Sequence, residues 1–173
     1  MALALEPKDL VVLLKLALSK PEQPWSYQRL AEALSLSASE TFASVKRLLA
    51  SGLLVGKGPK AEVNRKALLE FVLHGARYAF PAEIGKPSRG MPTGYASPAL
   101  QGALVFDPNH VPVWPDAKGK AKGHTLTPLH PRVPKIAQDD PMMYEALALF
   151  DALRAGQARE RQMARARLEV LLG

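Results

Sequence analysis

Apolar residues recur every three or four positions over both ends of this chain and lose all regular spacing in its middle. Leu10, Leu13, Leu14, Ala17 and Leu18 follow Pro7 at helical spacing, and a proline in the first turn removes no helical hydrogen bond. A helix is therefore predicted from Pro7 to about Ser19, ended by Pro21 and Pro24. Ser26 reads as the N-cap of a second helix, Tyr27 to Leu34, with Leu30, Ala31 and Leu34 facing inward. Ser35-Leu36-Ser37 makes a turn with Leu36 packed inward. Ser37 caps the next helix, and Glu40 stands three residues on, as a capping box requires. That helix runs to about Ser51, where Gly52 supplies a left-handed stop. Leu53-Leu54-Val55 and Ala61-Glu62-Val63 predict two short strands joined by a turn over 56–60. Asn64 is placed to cap a helix from Arg65 to about Gly75 that buries Leu68, Leu69, Val72 and Phe71.

The pattern then breaks down. Ten prolines fall between Pro81 and Pro134 and six glycines between Gly85 and Gly123, a density at which no helical or strand period survives. The segment 77–138 is accordingly expected to be extended and irregular, with Lys118-Gly-Lys-Ala-Lys-Gly123 as a solvated loop. It is too apolar for a flexible spacer. Phe80, Tyr95, Leu100, Leu104, Val105, Phe106, Trp114, Leu126 and Leu129 must pack against this chain, a second copy or another protein. Helix returns at Asp139-Asp140-Pro141, an acidic cap followed by proline. Met142, Met143, Leu147, Leu149, Phe150 and Leu153 make that helix apolar around most of its circumference, so it serves either as core or as a dimer surface. Gly156 breaks it, and a last helix runs from Gln157 to Leu172. Its arginines, with Glu160 and Glu169 beside them, read as a solvated face.

Residues 8–65 carry the most specific signal: Tyr27-Gln-Arg-Leu-Ala-Glu-Ala-Leu, the turn Leu36-Ser-Ala-Ser, then Val45-Lys-Arg-Leu-Leu-Ala-Ser-Gly-Leu-Leu54. This order resembles the winged helix–turn–helix of MarR-like bacterial transcription regulators. The resemblance implies a support helix, a recognition helix and a β-wing that together engage duplex DNA. Leu30, Ala31 and Leu34 would meet Thr41, Val45 and Leu48, with Ala31 small enough for close approach. Ser39, Phe42, Ala43, Lys46 and Arg47 are left as the outward face. Lys46 and Arg47 would reach phosphates or guanine edges, and Ser37, Ser39 or Ser44 would bond phosphate oxygens near the helix start. Lys57, Lys60 and Arg65 would lie over the backbone or minor groove. Two departures from the family pattern stand out: Glu40-Thr41 replaces the usual Thr-Val pair, and no Asn or Gln faces outward for adenine readout.

Charge changes the picture only in where it lies. The net charge of +7 comes from 23 Lys and Arg against 16 Asp and Glu, and it favours polyanionic partners. Residues 1–65 hold 9 basic and 6 acidic groups, residues 66–138 hold 9 and 4, and residues 139–173 hold 5 and 6, so the excess sits in the first two regions. The absence of cysteine rules out disulfides and thiolate metal sites and fits a cytoplasmic protein. Lys15 interrupts the apolar run from Leu10 to Leu18, with no cleavage site after it, and no stretch is long enough to span a bilayer. His74, His110, His124 and His130 lack metal-ligand spacing. There is no Gly-x-Ser-x-Gly elbow, and Lys57-Gly-Pro-Lys60 lacks the spacing of a phosphate-binding loop.

The sequence thus predicts a mainly α protein with a small β-wing: a winged helix–turn–helix domain over 1–76, a Pro-rich extended segment over 77–138 and a C-terminal helical hairpin over 139–173. The function it implies is a non-enzymatic bacterial transcriptional regulator without metal or cofactor. It would read duplex DNA with helix 37–51 and a basic wing over 53–63, as a homodimer. The alternative is a protein-interaction module whose Pro-rich arm, residues 81–138, wraps a partner protein as an antitoxin arm covers its toxin.

Overall fold

Two helical ends enclose a small sheet in the computed structural model, which describes residues 3–104, 107 and 111–173. Helix α1 spans Pro7–Leu18, α2 Tyr27–Leu34 and α3 Ala38–Ala50. The predicted caps form: the Ser26 hydroxyl accepts from the Arg29 N–H, and Ser37 and Glu40 close a reciprocal capping box. Gly52 adopts φ +77°, the left-handed conformation that ends α3. Strands β1 (Leu54–Val55) and β2 (Glu62–Val63) then pair antiparallel, Leu54 opposite Val63.

Asn64 caps α4 (Arg65–Glu70) by accepting from the Ala67 N–H. The expected stop at Gly75 does not occur. The chain continues helically through one wide π turn, Phe71–Gly75, into α5 (Ala76–Ala79), because Ala76 and Phe80 are buried in the core and draw another turn inward.

The expectation of an irregular middle segment is overturned. Strands β3 (Ile84–Pro92), β4 (Pro112–Pro115) and β5 (Ala121–Leu126) form a sheet closed on itself. β3 is antiparallel to both others; β4 takes its end at residues 90–92 and β5 pairs over Ile84 and 87–90. The prolines are compatible because they fall where a ladder N–H is dispensable: Pro112 and Pro115 at the ends of β4, Pro92 at the end of β3, and Pro87 at an irregularity in the register. Tight closure needs glycine, since a Cβ on Gly90 would strike the Trp114 carbonyl and one on Gly123 the Val111 carbonyl.

Helix α6 (Val133–Asp139) adds a second departure from irregularity and leads into α7 (Pro141–Ala155), then α8 (Ala158–Leu172). Asp140 caps α7, accepting from the N–H groups of Met142 and Met143. α7 is the centre of the molecule: Met143, Leu147, Leu149, Phe150 and Leu153 are all buried. One hydrophobic cluster joins them to Leu13 and Leu14 of α1, Leu68 of α4, Leu100, Trp114, Leu129, Ile136 and Leu168. Apart from Met142, which is exposed, the apolar circumference of α7 is therefore covered within the chain. Leu100, Trp114 and Leu129 of the middle segment pack there too; Val105, Phe106 and His110 lie outside the described residues. The architecture is mainly α with a small β part.

A buried polar clasp fastens α7 to the sheet. Asp151 accepts hydrogen bonds from Thr93 Oγ1 at 2.7 Å, Trp114 Nε1 at 2.6 Å and Arg154 Nε at 2.7 Å. Burial pushes its carboxyl above the ordinary range, while Arg154 and the two other donors oppose that shift. Arg154 continues to the Thr127 carbonyl at 2.6 Å. The low-dielectric cost of the carboxylate is thus met by a full set of donors.

Candidate nucleic-acid interface

Helix α3 packs as its spacing requires, with Thr41, Val45 and Leu48 buried against Leu30, Ala31 and Leu34. Its outward face consists of Ser39, Phe42 and Lys46, all exposed, and half-buried Ala43. Phe42, 56% exposed, is held from one side only: its ring lies 5.5 Å from Tyr27, which meets Trp25 edge-on at 5.3 Å. Trp25 Nε1 in turn donates to the Ala61 carbonyl at 3.1 Å, so the same aromatic row ties α2, α3 and the β1–β2 ribbon. Sequence reading misses these aromatics as positioning groups because Trp25 precedes the predicted helix and its partner is 36 residues away.

Three residues expected to contact DNA, Arg47, Ser44 and Arg65, are not available to a ligand. Arg47 is bonded to Asp9 in bidentate fashion, Nε to Oδ2 at 2.7 Å and Nη2 to Oδ1 at 2.8 Å, and its side chain is only 11% exposed. That bond holds the guanidinium pKa above its ordinary value. Asp9 itself is 1% exposed, so Arg47 neutralises a buried carboxylate and locks α3 to α1. Ser44 is fully buried beneath it, its hydroxyl 3.4 Å from Arg47 Nη2. Arg65 is also diverted from the ribbon. Its guanidinium donates to the Ala17 carbonyl at 2.9 Å and the Leu172 carbonyl at 2.8 Å, serving the C-terminal ends of α1 and α8.

Ser37 is exposed but spends its hydroxyl on the cap, donating to Glu40 Oε2 at 2.8 Å and lying 3.2 Å from Ser39 Oγ. The Ser37 N–H and hydroxyl, with Lys8 beyond, hold the Glu40 carboxyl below its ordinary value. Glu40 therefore caps α3. Lys57 and Lys60 are exposed on the turn between β1 and β2. Among the described residues no carboxylate forms an ion pair with Lys46, Lys57 or Lys60.

The start of α3 has neighbours that sequence reading did not place there. Lys8 lies 3.9 Å from Glu40 Oε1, and His130 is close enough to act on the same carboxylate. Burial lowers the pKa of His130, with Glu40 opposing and Lys8 and Arg132 assisting. Lys8 and His130 thus reach the start of α3 from distant parts of the chain, a separation no local pattern bridges.

Among the described residues no group of three or more His, Asp or Glu side chains is arranged to hold a metal, and no helix is long and apolar enough to cross a membrane. No family model, no curated protein and no solved structure matches this chain.

Proposed function

We propose that residues 7–63 act as a winged helix–turn–helix that binds duplex DNA, in a non-enzymatic regulator of the bacterial type that the sequence resembles. The observation that carries this reading is one set of exposed groups: Ser39, Phe42 and Lys46 on α3, then Lys57 and Lys60 on the ribbon turn, the three lysines without an ion-pair partner among the described residues. α3 is long enough for its N-terminal N–H groups and dipole to favour a phosphate. The working set differs from the sequence expectation. Lys46, Lys57 and Lys60 contact phosphates, Ser39 supplies a hydroxyl and Phe42 offers an apolar edge to a thymine methyl. Arg47, Ser44 and Arg65 are structural and drop out.

With no outward Asn, Gln or Arg on α3, backbone contacts outweigh base readout, and affinity exceeds sequence discrimination. The apolar face of α7 that would have served a homodimer is covered within the chain, so the proposal is made for a single chain. The arm-and-partner alternative loses its main support in the same way, since Leu100, Trp114 and Leu129 pack in the chain's own core.

Fluorescence-anisotropy titration of a labelled duplex with wild type and with Lys46→Ala/Lys57→Ala/Lys60→Ala tests the reading. Removing three phosphate-neutralising charges should lower the slope of log K against log salt by about 2.7. Equal affinity and slope in the two proteins would overturn it.

A further inference from the structure

The run Lys118-Gly-Lys-Ala-Lys-Gly123, which reads as a solvated loop, turns out to be a turn leading into β5 with a strict alternation. Lys118, Lys120 and Lys122 are exposed, Gly119 and Gly123 buried, and Ala121 half-buried between them. Arg89 of β3 stands directly opposite Lys122, and directly opposed residues of an antiparallel pair project from the same face. Arg89 is exposed accordingly, as is Lys86 on the same strand.

Like charges facing each other across a ladder destabilise a sheet. Among the described residues no carboxylate forms an ion pair with Lys86, Arg89, Lys118, Lys120 or Lys122 to relieve it. Asp116, which opens the turn, is engaged elsewhere, accepting from the Lys118 N–H at 3.0 Å and from Gln138 Nε2 at 2.6 Å. Other exposed cations do have partners, Lys135 with Asp139 at 2.9 Å and Arg167 with Glu145 at 3.8 Å. Among the described residues the ribbon is thus an array of cations without ion-pair partners.

We propose that this β3–β5 ribbon is a second surface for duplex DNA, gripping the sugar-phosphate backbone without reading sequence. Alternate side chains of an extended strand stand roughly 7 Å apart, of the order of the spacing between successive phosphates on one strand. Lysine is a point-charge phosphate ligand rather than a bidentate reader of base edges. Single-stranded nucleic acid is disfavoured because binding it uses exposed aromatic platforms, and here Trp114 is 1% exposed and Tyr95 half-buried. The surface lies outside residues 7–63, so it stands or falls separately from the role proposed for α3.

The test uses the full chain in anisotropy titrations of a random-sequence duplex over a series of KCl concentrations. Three proteins are compared: wild type, Lys118→Gln/Lys120→Gln/Lys122→Gln, and Lys46→Gln/Lys57→Gln/Lys60→Gln. The ribbon variant should bind at least about tenfold more weakly at low salt, with a slope reduced by about 0.9 for each phosphate no longer neutralised. Its melting temperature should equal or exceed that of wild type, since a like-charge pair has been relieved. Should the triple variant fail to fold, Lys120→Gln alone, in the turn before β5, should still lower the slope by about 0.9. If the α3-and-wing variant binds like wild type while the ribbon variant does not, this inference stands and the reading of α3 falls. Unchanged affinity and slope in the ribbon variant overturn it whatever the α3 variant does. It is equally overturned if the ribbon variant loses only co-sedimentation with phosphatidylserine vesicles while its duplex affinity is unchanged, which would assign the cations to an anionic membrane.

Discussion

Lys46 and Arg47 are adjacent, both basic and both on the helix with the strongest motif signal, yet they do opposite work. Lys46 is exposed and has no carboxylate partner among the described residues; Arg47 closes over Asp9, 38 residues earlier, in a bidentate pair. Helical spacing alone puts both on the outward edge, and only the position of a buried acid on α1 separates them. Replacing Arg47 by Ala leaves an uncompensated buried carboxylate and should cost about 3 kcal/mol or more in urea denaturation. Lys46→Ala should stay within about 0.5 kcal/mol of wild type while weakening DNA binding. An Arg47→Ala protein of wild-type stability would remove the structural role of this pair. Asp9 was not legible as the partner of α3, because no local pattern joins positions that distant.

Among the elements, those with local stop and start chemistry were readable: the caps at Ser26, Ser37, Asn64 and Asp140 all form. The β3–β4–β5 sheet was hidden because its strands carry prolines and glycines that normally argue against strand. They are tolerated here through end positions, a register irregularity and backbone-to-backbone closure, none of which shows in hydrophobic period. Asp140 shows how one cap reaches beyond its element, since Lys15 of α1 donates to its carboxylate at 2.6 Å. Burial pushes this carboxyl upward, but Lys15 and the N–H groups of Met143 and Met142 together hold it below its ordinary value. A depressed carboxyl contributes stability that is fully present above the ordinary value and lost as pH falls through the depressed one. Asp140→Ala should therefore cost about 1 kcal/mol at pH 7 in thermal melts. The gap to wild type should close as the pH is lowered through the carboxylate range. A gap independent of pH would show that Asp140 acts by shape alone.

At the scale of the whole molecule, the division into residues 1–76, 77–138 and 139–173 follows changes of composition, whereas the hydrophobic core runs through all three. α7 was legible as unusually apolar, but what covers it depended on tertiary contacts. α1 packs on α7, Arg65 serves the end of α8, and Lys15 meets the cap of α7. The full chain should accordingly melt in one transition with equal calorimetric and van't Hoff enthalpies. A fragment of residues 1–76 should show no cooperative melt of its own by circular dichroism. A fragment that melts as sharply as the parent would mean the core is divisible.

That α3 and the ribbon turn after it meet duplex DNA is tested most directly by adding a short duplex to isotopically labelled protein and following backbone amide shifts at low and moderate salt. The expected result is salt-sensitive shifts concentrated at Ser39, Phe42, Ala43 and Lys46 and at residues 57–60, apart from Pro59, with the buried Arg47–Asp9 pair intact. Shifts absent from both segments, even at low salt, would contradict the DNA-binding role.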